Sequence, residues 1–328
     1  MTMMLAPPLR RSWPLRLLNC VRDTAIGTLL CLSPLGAVFA LGWMTRQMRA
    51  RAEAQWGGSH AHSGWVLGDS GASGWRRLCG GLADNLKVGL TTACALALLT
   101  MPFTLLWLGA WWAGWENSFN KGYEQAWVGP VVFLCGTLLA LPLLAHLPLA
   151  MAHGAAEGRF ASFFEFRRVR SVAVAAGWRL PWLAVLALAF SVPVFLLRAV
   201  PVFIESIVPG FALLSDEEQS GVGSVVSTFA AAIAFVGAYW FKLRAVRIYA
   251  DAAPIAAQGR AAAHWAGTRA ARQTPSRRVA GQVGGALWLM IACAVWLGVA
   301  LLILVGQFLN YQPALWLTHP VFFLPWAG

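Results

Sequence analysis

The chain alternates between long apolar runs and short polar stretches rich in arginine. Five apolar runs are each long enough to cross about 30 Å of hydrocarbon as a helix, which takes roughly 20 residues. They are Val88–Trp115, Trp127–Met151, Leu180–Phe203, Val222–Phe241 and Val283–Leu309. The pattern predicts an all-α, polytopic integral membrane helical bundle with five full spans.

A further apolar run, Thr24–Met44, is only just long enough to cross and has Pro34 and Gly36 at its centre. If the chain turns back here, the arginines that precede the run lie on the same side as most other basic residues. We therefore expect a short N-terminal re-entrant hairpin with Pro34-Leu35-Gly36 at its tip. The alternative is six full spans, with this run crossing the membrane.

Basic residues concentrate in alternate loops and give the orientation. Loops 45–87, 152–179 and 242–282 are rich in Lys and Arg, whereas 204–221 contains neither. Basic loops stay on the cytoplasmic side of a membrane. We therefore expect a multi-pass protein of the bacterial inner membrane, with its N-terminus cytoplasmic and its C-terminus periplasmic or extracellular.

These boundaries divide the chain into three parts. Residues 1–23 form a basic amphipathic segment, 24–309 the transmembrane helical domain, and 310–328 an aromatic, apolar tail.

Composition agrees with a chain that lies mostly in lipid. Of 328 residues, 59% are hydrophobic and only 12% charged, with a mean hydropathy of +0.62. Soluble domains average about 25% charged residues. The net charge of +12 would suggest a nucleic-acid partner in a soluble protein. Here loop placement accounts for it, so we expect no nucleic acid.

Two runs near the ends of apolar segments resemble each other. AAEGRFA begins at Ala155 and AAQGRAA at Ala256, and RARAEAQWGG, from Arg49, is a loose relative. Self-similarity of this kind indicates duplicated units. Each unit would be an out-and-back hairpin followed by a basic, alanine-rich cytoplasmic helix.

Three stretches together resemble an uncharacterised multi-pass membrane family catalogued as domain of unknown function 4013. They are IGTLLCLSPLGAVFALGWMTRQMRARA (Ile26–Ala52), ADNLKVGLTTACALALLTMPFTLLWL (Ala83–Leu108) and AAEGRFASFFEFRRVRSVAVAAGW (Ala155–Trp178). The resemblance covers about residues 10–200. It implies a fold only, because the family has no established activity.

Few side chains could carry chemistry inside the membrane. His146 and His153 lie seven residues apart, near one helix face, and could ligate a haem or chlorophyll-type pigment; no other cofactor is expected. His60 and His62 could touch one metal ion, but no third ligand stands at a recognised spacing, so we predict no metal site. No nucleotide-loop, zinc-protease or hydrolase motif occurs, and we predict no enzyme.

Packing and lipid contact leave clearer patterns. Small residues at helical spacing predict close helix packing. These are Gly223, Ser227, Ala231, Gly281 and Gly285. Basic residues beside aromatic ones predict contact with anionic headgroups at the cytoplasmic face. These are Arg167, Arg168, Arg170, Arg244 and Arg247.

The leading functional hypothesis is therefore a non-enzymatic structural, assembly or accessory subunit of a membrane complex. It would contact lipids and bind a protein partner or a second copy of itself. One alternative is a permease for a small or lipophilic molecule, with proline-broken helices as gates. The other is a pigment- or haem-binding subunit that uses His146.

Overall fold

A computed structural model describes most of the chain. The described residues are 13–57, 65, 74–113, 127–207, 210–259, 262–273, 293–294, 297–298 and 323–326. Throughout these residues the regular structure is helical, without a strand.

Eight α-helices follow one another along this part of the chain. They are α1 Trp13–Cys31, α2 Pro34–Gln55, α3 Trp75–Ala113, α4 Val128–Glu157, α5 Phe166–Ala176, α6 Arg179–Ile207, α7 Asp216–Gln258 and α8 Ala262–Trp265. Four of them contain stretches long and apolar enough to span a membrane: Cys79–Ala113, Val128–Glu157, Arg179–Leu197 and Asp216–Gln258. The predicted all-α membrane bundle is thus confirmed. The fifth predicted span, Val283–Leu309, lies largely outside the described residues.

The first two helices form a hairpin. Helix α1 ends at Cys31, and Ser33 caps α2, its hydroxyl accepting from the backbone N–H of Gly36 at 3.1 Å. Pro34 takes the first helical position, where a missing N–H costs nothing. Thr24–Met44 is therefore not one continuous helix, which favours the re-entrant hairpin, and the choice between it and six full spans stays a prediction.

Two details of the sequence prediction are wrong. The turn falls at Leu32-Ser33 rather than at Pro34-Leu35-Gly36, because a serine cap and a proline start α2 immediately. The boundary predicted between residues 23 and 24 lies inside α1, which runs on from Trp13. How deep the hairpin enters a bilayer stays a prediction.

Three helices, α2, α4 and α7, end together at one end of the bundle. The Trp56 indole, just past α2, donates to the backbone of Ala250 in α7 at 3.0 Å. His153 near the end of α4 lies 2.8 Å from the Tyr249 hydroxyl. Their terminal glycines, at residues 57, 158 and 259, stand at equal spacing in the sequence. We call these three the return helices, because each follows a helix that runs the opposite way.

The first three residues of the two closest repeats, Ala155–Glu157 and Ala256–Gln258, form the last turns of α4 and α7 rather than separate helices. Helix α7 has 43 residues and is therefore about 65 Å long, roughly twice the hydrocarbon thickness. Its continuation buries Lys242 and Tyr249 completely against neighbouring helices. The predicted surface segment that starts at Lys242 thus begins inside the core.

Small residues allow the closest helix contacts. A Cβ on Gly42 of α2 would lie 1.8 Å from the carbonyl oxygen of Asn85 in α3. A Cβ on Gly89 would lie 2.1 Å from the carbonyl oxygen of Val38. The backbones of α2 and α3 therefore touch, as small residues permit.

Candidate functional site

The end at which the return helices stop carries the polar chemistry of the described residues. We call it the basic end. Helix α5, the short helix α8 and the 3-10 turn Phe160–Phe164 lie here against the return helices. A buried polar cluster holds these pieces together, and an open cavity lies beside it.

His153 is the centre of the buried cluster and is 0% exposed. Its Nε2 lies 2.6 Å from the Glu165 carboxylate, and its Nδ1 lies 2.8 Å from the Tyr249 hydroxyl. An ionised carboxylate can only accept, so Nε2 donates to it. In the neutral ring, Nδ1 then accepts from Tyr249. The imidazole thereby joins α4, the start of α5 and α7.

Glu165 balances several positive groups. It accepts hydrogen bonds from His153, from Arg168, and from Arg159 at 3.3 Å. Burial raises the pKa of Glu165, but hydrogen bonds from His153 and Arg168 more than offset that, so its pKa lies below 4.5. The carboxylate is thus ionised at neutral pH and can hold α5 in place.

Trp265 closes the cluster from α8. Its buried ring packs edge-on to His153, with centroids 5.7 Å apart, and its indole donates to Ser171 Oγ at 3.1 Å. Arg168 donates to the backbone carbonyl of His264 at 2.6 Å. Helix α8 is therefore docked onto α5 by direct contacts.

An open cavity of about 740 Å³ lies beside this cluster, between α2, α6 and α7. Its polar walls carry four arginines and one aspartate, with two tryptophans at its edge. The charged and aromatic residues are Arg51, Arg179, Arg244, Arg247, Asp251, Trp178 and Trp182. We call it the arginine cavity.

The single carboxylate of the arginine cavity is already engaged. Asp251 accepts from Arg179 at 2.6 Å and also from the Gln55 amide. Arg244 lies over the Trp240 ring, 5.7 Å from its centroid. Within the described part of the chain, neither Arg51, Arg244 nor Arg247 has a carboxylate partner. The cavity therefore holds excess positive charge and could bind an anion.

Two tryptophans at the rim of the cavity are exposed. Trp178 is 49% and Trp182 54% exposed, as are other tryptophans of the described residues, such as Trp112 at 59% and Trp127 at 66%. Indole rings in this state are typical of the interface between hydrocarbon and water.

The two predicted pigment ligands, His146 and His153, have different surroundings. His153 is committed to the cluster above, while His146 is half-buried and places Nδ1 2.8 Å from the Pro142 carbonyl oxygen. That bond fixes the tautomer and leaves Nε2 of His146 as the available nitrogen. Pigment binding stays a prediction, and an absorption spectrum of the purified protein tests it.

The predicted metal candidates His60 and His62 lie outside the described residues. In the part that the structure describes, no three His, Cys, Asp or Glu side chains are grouped as a metal site would require.

The predicted packing residues fall into three groups. Ala231 is fully buried, whereas Gly223 and Ser227 are exposed near the start of α7. Among the described residues, a Cβ on Gly223 would meet nothing within 4 Å, so this glycine packs against none of them. Gly281 and Gly285 lie outside the described residues.

The predicted headgroup residues also divide. Arg244 and Arg247 line the arginine cavity, and Arg167 and Arg170 are exposed on α5. Arg168 points instead into the buried cluster, where it binds Glu165.

Sequence reasoning missed the other cavity residues, among them Arg51, Arg179 and Asp251. They come from three helices that are far apart in the sequence. The only hint of a common site is that each of them lies near the end of an apolar run.

Trp65, in the Gly/Ser-rich stretch between α2 and α3, also stabilises the fold. Trp65 stacks on Trp43 with ring centroids 4.0 Å apart and planes within 8°. Its indole donates to Asp23 at 3.1 Å, and its carbonyl accepts from the Asn85 amide at 2.5 Å. Trp65 is thus held between α1, α2 and α3.

No family model matches the chain, and no curated protein or solved structure is significantly similar to it. The resemblance to domain of unknown function 4013 stays a prediction.

Proposed function

We propose that this is a non-enzymatic inner-membrane protein that binds anionic phospholipid headgroups at its cytoplasmic face, as an accessory or assembly subunit of a membrane complex. The observation that carries the proposal is the arginine cavity. It combines three arginines that lack a carboxylate partner among the described residues with two exposed tryptophans.

The position of the cavity along α7 supports a headgroup ligand. The apolar run of this helix ends at Phe241, and Arg247 follows six residues later, or about 9 Å further along the axis. The headgroup layer is about 5–7 Å thick on each side of the hydrocarbon, so the long side chain of Arg247 can reach back into it. The excess of basic residues in the adjoining loops places this end in the cytoplasm under the charge rule.

The chemistry of the walls fits a lipid phosphate. A guanidinium group binds two phosphate oxygens at once, and tryptophan is stable at headgroup depth. Each basic residue near an anionic surface contributes about 1 kcal/mol. Three such arginines would favour an anionic over a neutral headgroup by about 3 kcal/mol, roughly a hundredfold.

Lipid retention tests the proposal. The protein would be purified in mild detergent, mixed with equal amounts of phosphatidylglycerol and phosphatidylcholine, and examined by native mass spectrometry. Wild-type protein should retain phosphatidylglycerol selectively. The double variant Arg244→Gln/Arg247→Gln should lose most of that selectivity, because it removes two charges from the cavity wall.

The matched control is Arg167→Gln/Arg170→Gln, which removes the same charge from exposed positions outside the cavity. It should keep the selectivity. Equal loss in both double variants would show that surface charge, not the cavity, selects lipids. Equal retention of both lipids by wild-type protein would end the proposal.

The accessory role has its own test. Crosslinking in intact cells, followed by purification and mass spectrometry, should recover a stable stoichiometric protein partner or a homo-oligomer. Recovery of the monomer alone would contradict this part of the proposal and leave lipid binding untouched.

A further inference from the structure

A second positively charged recess lies where α2, α3 and the end of α4 meet. Its volume is about 170 Å³, less than a quarter of that of the arginine cavity. Three threonines and four basic side chains line it, with no carboxylate in the wall. The polar lining residues are Thr45, Thr91, Thr92, Arg46, Arg49, Lys87 and Arg159. We call it the threonine cleft.

Two carboxylates pair with cations of the cleft, and both are shared with other groups. Glu53 accepts from Arg49 at 3.2 Å and also from Arg269. Glu165 accepts from Arg159 but also binds His153 and Arg168 in the buried cluster. Each carboxylate therefore neutralises only part of the charge of its cleft partner.

Lys87 adds a further positive charge. It lies on an exposed face of α3, and within the described residues it has no carboxylate partner. The cleft therefore carries an excess of positive charge in a small space.

The walls of the cleft are held in place before any ligand arrives. Arg46 is only 9% exposed, and its Nη1 donates to the Asn85 side-chain oxygen at 2.9 Å. Asn85 is fixed in turn by its bond to the linker at Trp65. Thr45 and Thr92 share a hydrogen bond of 3.3 Å between their hydroxyl oxygens. Arg46, Thr45 and Thr92 would therefore lose little conformational freedom on binding, which favours affinity.

Gly158 helps to shape the same wall. It caps α4 in the left-handed region, with φ of 68°, and a Cβ there would lie 2.9 Å from Arg49 Nη1. Glycine thus permits both the sharp exit of the chain and the close approach of the guanidinium group.

From this geometry we infer that the threonine cleft is a binding site for a single tetrahedral oxyanion of the phosphate class. Guanidinium and ammonium groups are the usual donors to phosphate oxygens, whereas the three threonine hydroxyls already donate to Leu41, to Lys87 and to Thr45 and only shape the wall. The volume of about 170 Å³ is enough for one phosphate group. The phosphate is either free or the terminal phosphate of a lipid monoester, and the experiment below distinguishes the two. The inference does not rest on the arginine cavity.

Thermal unfolding in mild detergent tests the site. Sodium phosphate should raise the midpoint of wild-type protein by several degrees over sodium chloride at equal ionic strength and pH. Lys87→Gln should weaken the apparent affinity for phosphate about tenfold, as expected for losing one charge-assisted contact. Because Lys87 is exposed, this variant should fold. Arg167→Gln, an equal charge loss on α5, should bind phosphate as wild-type protein does.

Two further arms identify the source and separate the two sites. Short-chain phosphatidic acid and phosphatidylcholine replace phosphate as probes. A rise of the unfolding midpoint that saturates with free phosphate identifies a soluble ligand. A rise with phosphatidic acid alone identifies a lipid. Either result supports the site. The Arg244→Gln/Arg247→Gln variant should keep the shift. Two results would overturn the inference. One is an equal midpoint in phosphate and chloride together with no shift in midpoint between phosphatidic acid and phosphatidylcholine. The other is an affinity for phosphate that is the same in Lys87→Gln as in wild-type protein.

Discussion

Glu165 should hold α5 against the bundle, and Glu165→Gln measures how strongly. The amide keeps the shape but loses the charge, and its nitrogen cannot accept from His153 or Arg168. Hydrogen bonds to charged groups contribute about 1.5–3 kcal/mol. Because Glu165 is 24% exposed and solvent screens it, we expect a total loss near the lower end, about 2 kcal/mol. That corresponds to roughly 30-fold easier opening of α5.

Hydrogen exchange followed by mass spectrometry measures that opening directly. Amides of α5, Phe166–Ala176, should exchange about 30-fold faster in Glu165→Gln, while those of α3 keep their wild-type rates. Glu217→Gln, an exposed change in the first turn of α7, is the control and should alter neither. Unchanged α5 exchange would refute the reasoning, and uniform acceleration in every helix would show a global rather than local role.

The same measurement has a defined pH dependence. Since the pKa of Glu165 is lower in the folded protein than the ordinary 4.5, its contribution is fully present above pH 4.5. It is lost as pH falls through the folded pKa. Exchange of α5 in wild-type protein should therefore approach that of Glu165→Gln in acid and differ most at neutral pH. A constant ratio across this range would exclude an ionised Glu165.

Three other changes test the fold. Trp65→Ala should lower stability by about 3–5 kcal/mol because it removes the stack on Trp43; melting in detergent would show this, and Trp65→Phe should recover part of it. An unchanged melting point would mean that the contact between Trp65 and Trp43 does not stabilise the fold. Gly42→Ala should lower the free energy of unfolding by about 3 kcal/mol, because the added methyl group forces α2 away from α3. Gly223→Ala is the control and should leave the melting point unchanged. Equal melting points of the two variants would contradict the contact between α2 and α3. In a cysteine-free background, an impermeant thiol reagent should label Glu217→Cys but not Ser12→Cys in intact cells; labelling of both would mean that the first apolar run crosses.

The sequence predicts the spans well because their physical cause is local. An apolar run must be helical in lipid wherever it lies, since only a helix satisfies its own backbone. The hairpin is also predictable in outline, because flanking arginines and Pro34 can be read directly. The turn falls earlier in the chain than predicted, because Ser33 caps α2 and Pro34 is already its first residue.

The candidate sites are not predictable in the same way. His153 and Glu165 stand twelve residues apart, and Tyr249 comes from a later helix, so their contact depends on tertiary packing. The charge rule assigns Lys242 to a loop, yet neighbouring helices bury it. Arg244 and Arg247 are recognisable as headgroup residues, but the cavity also needs α2 and α6. Sequence patterns show which residues are basic, not which remain without a partner.

The paired layout of the helices has a consequence for how such a chain can change in length. Helix α3 runs antiparallel to α4, and α6 to α7, so each pair brings the chain back to the end where it began. A unit of this kind crosses an even number of times. Gain or loss of one whole pair would leave the orientation of every remaining helix unchanged, whereas gain or loss of a single helix would invert all that follow. The equal spacing of the residues at 57, 158 and 259 is what growth by whole pairs would leave behind.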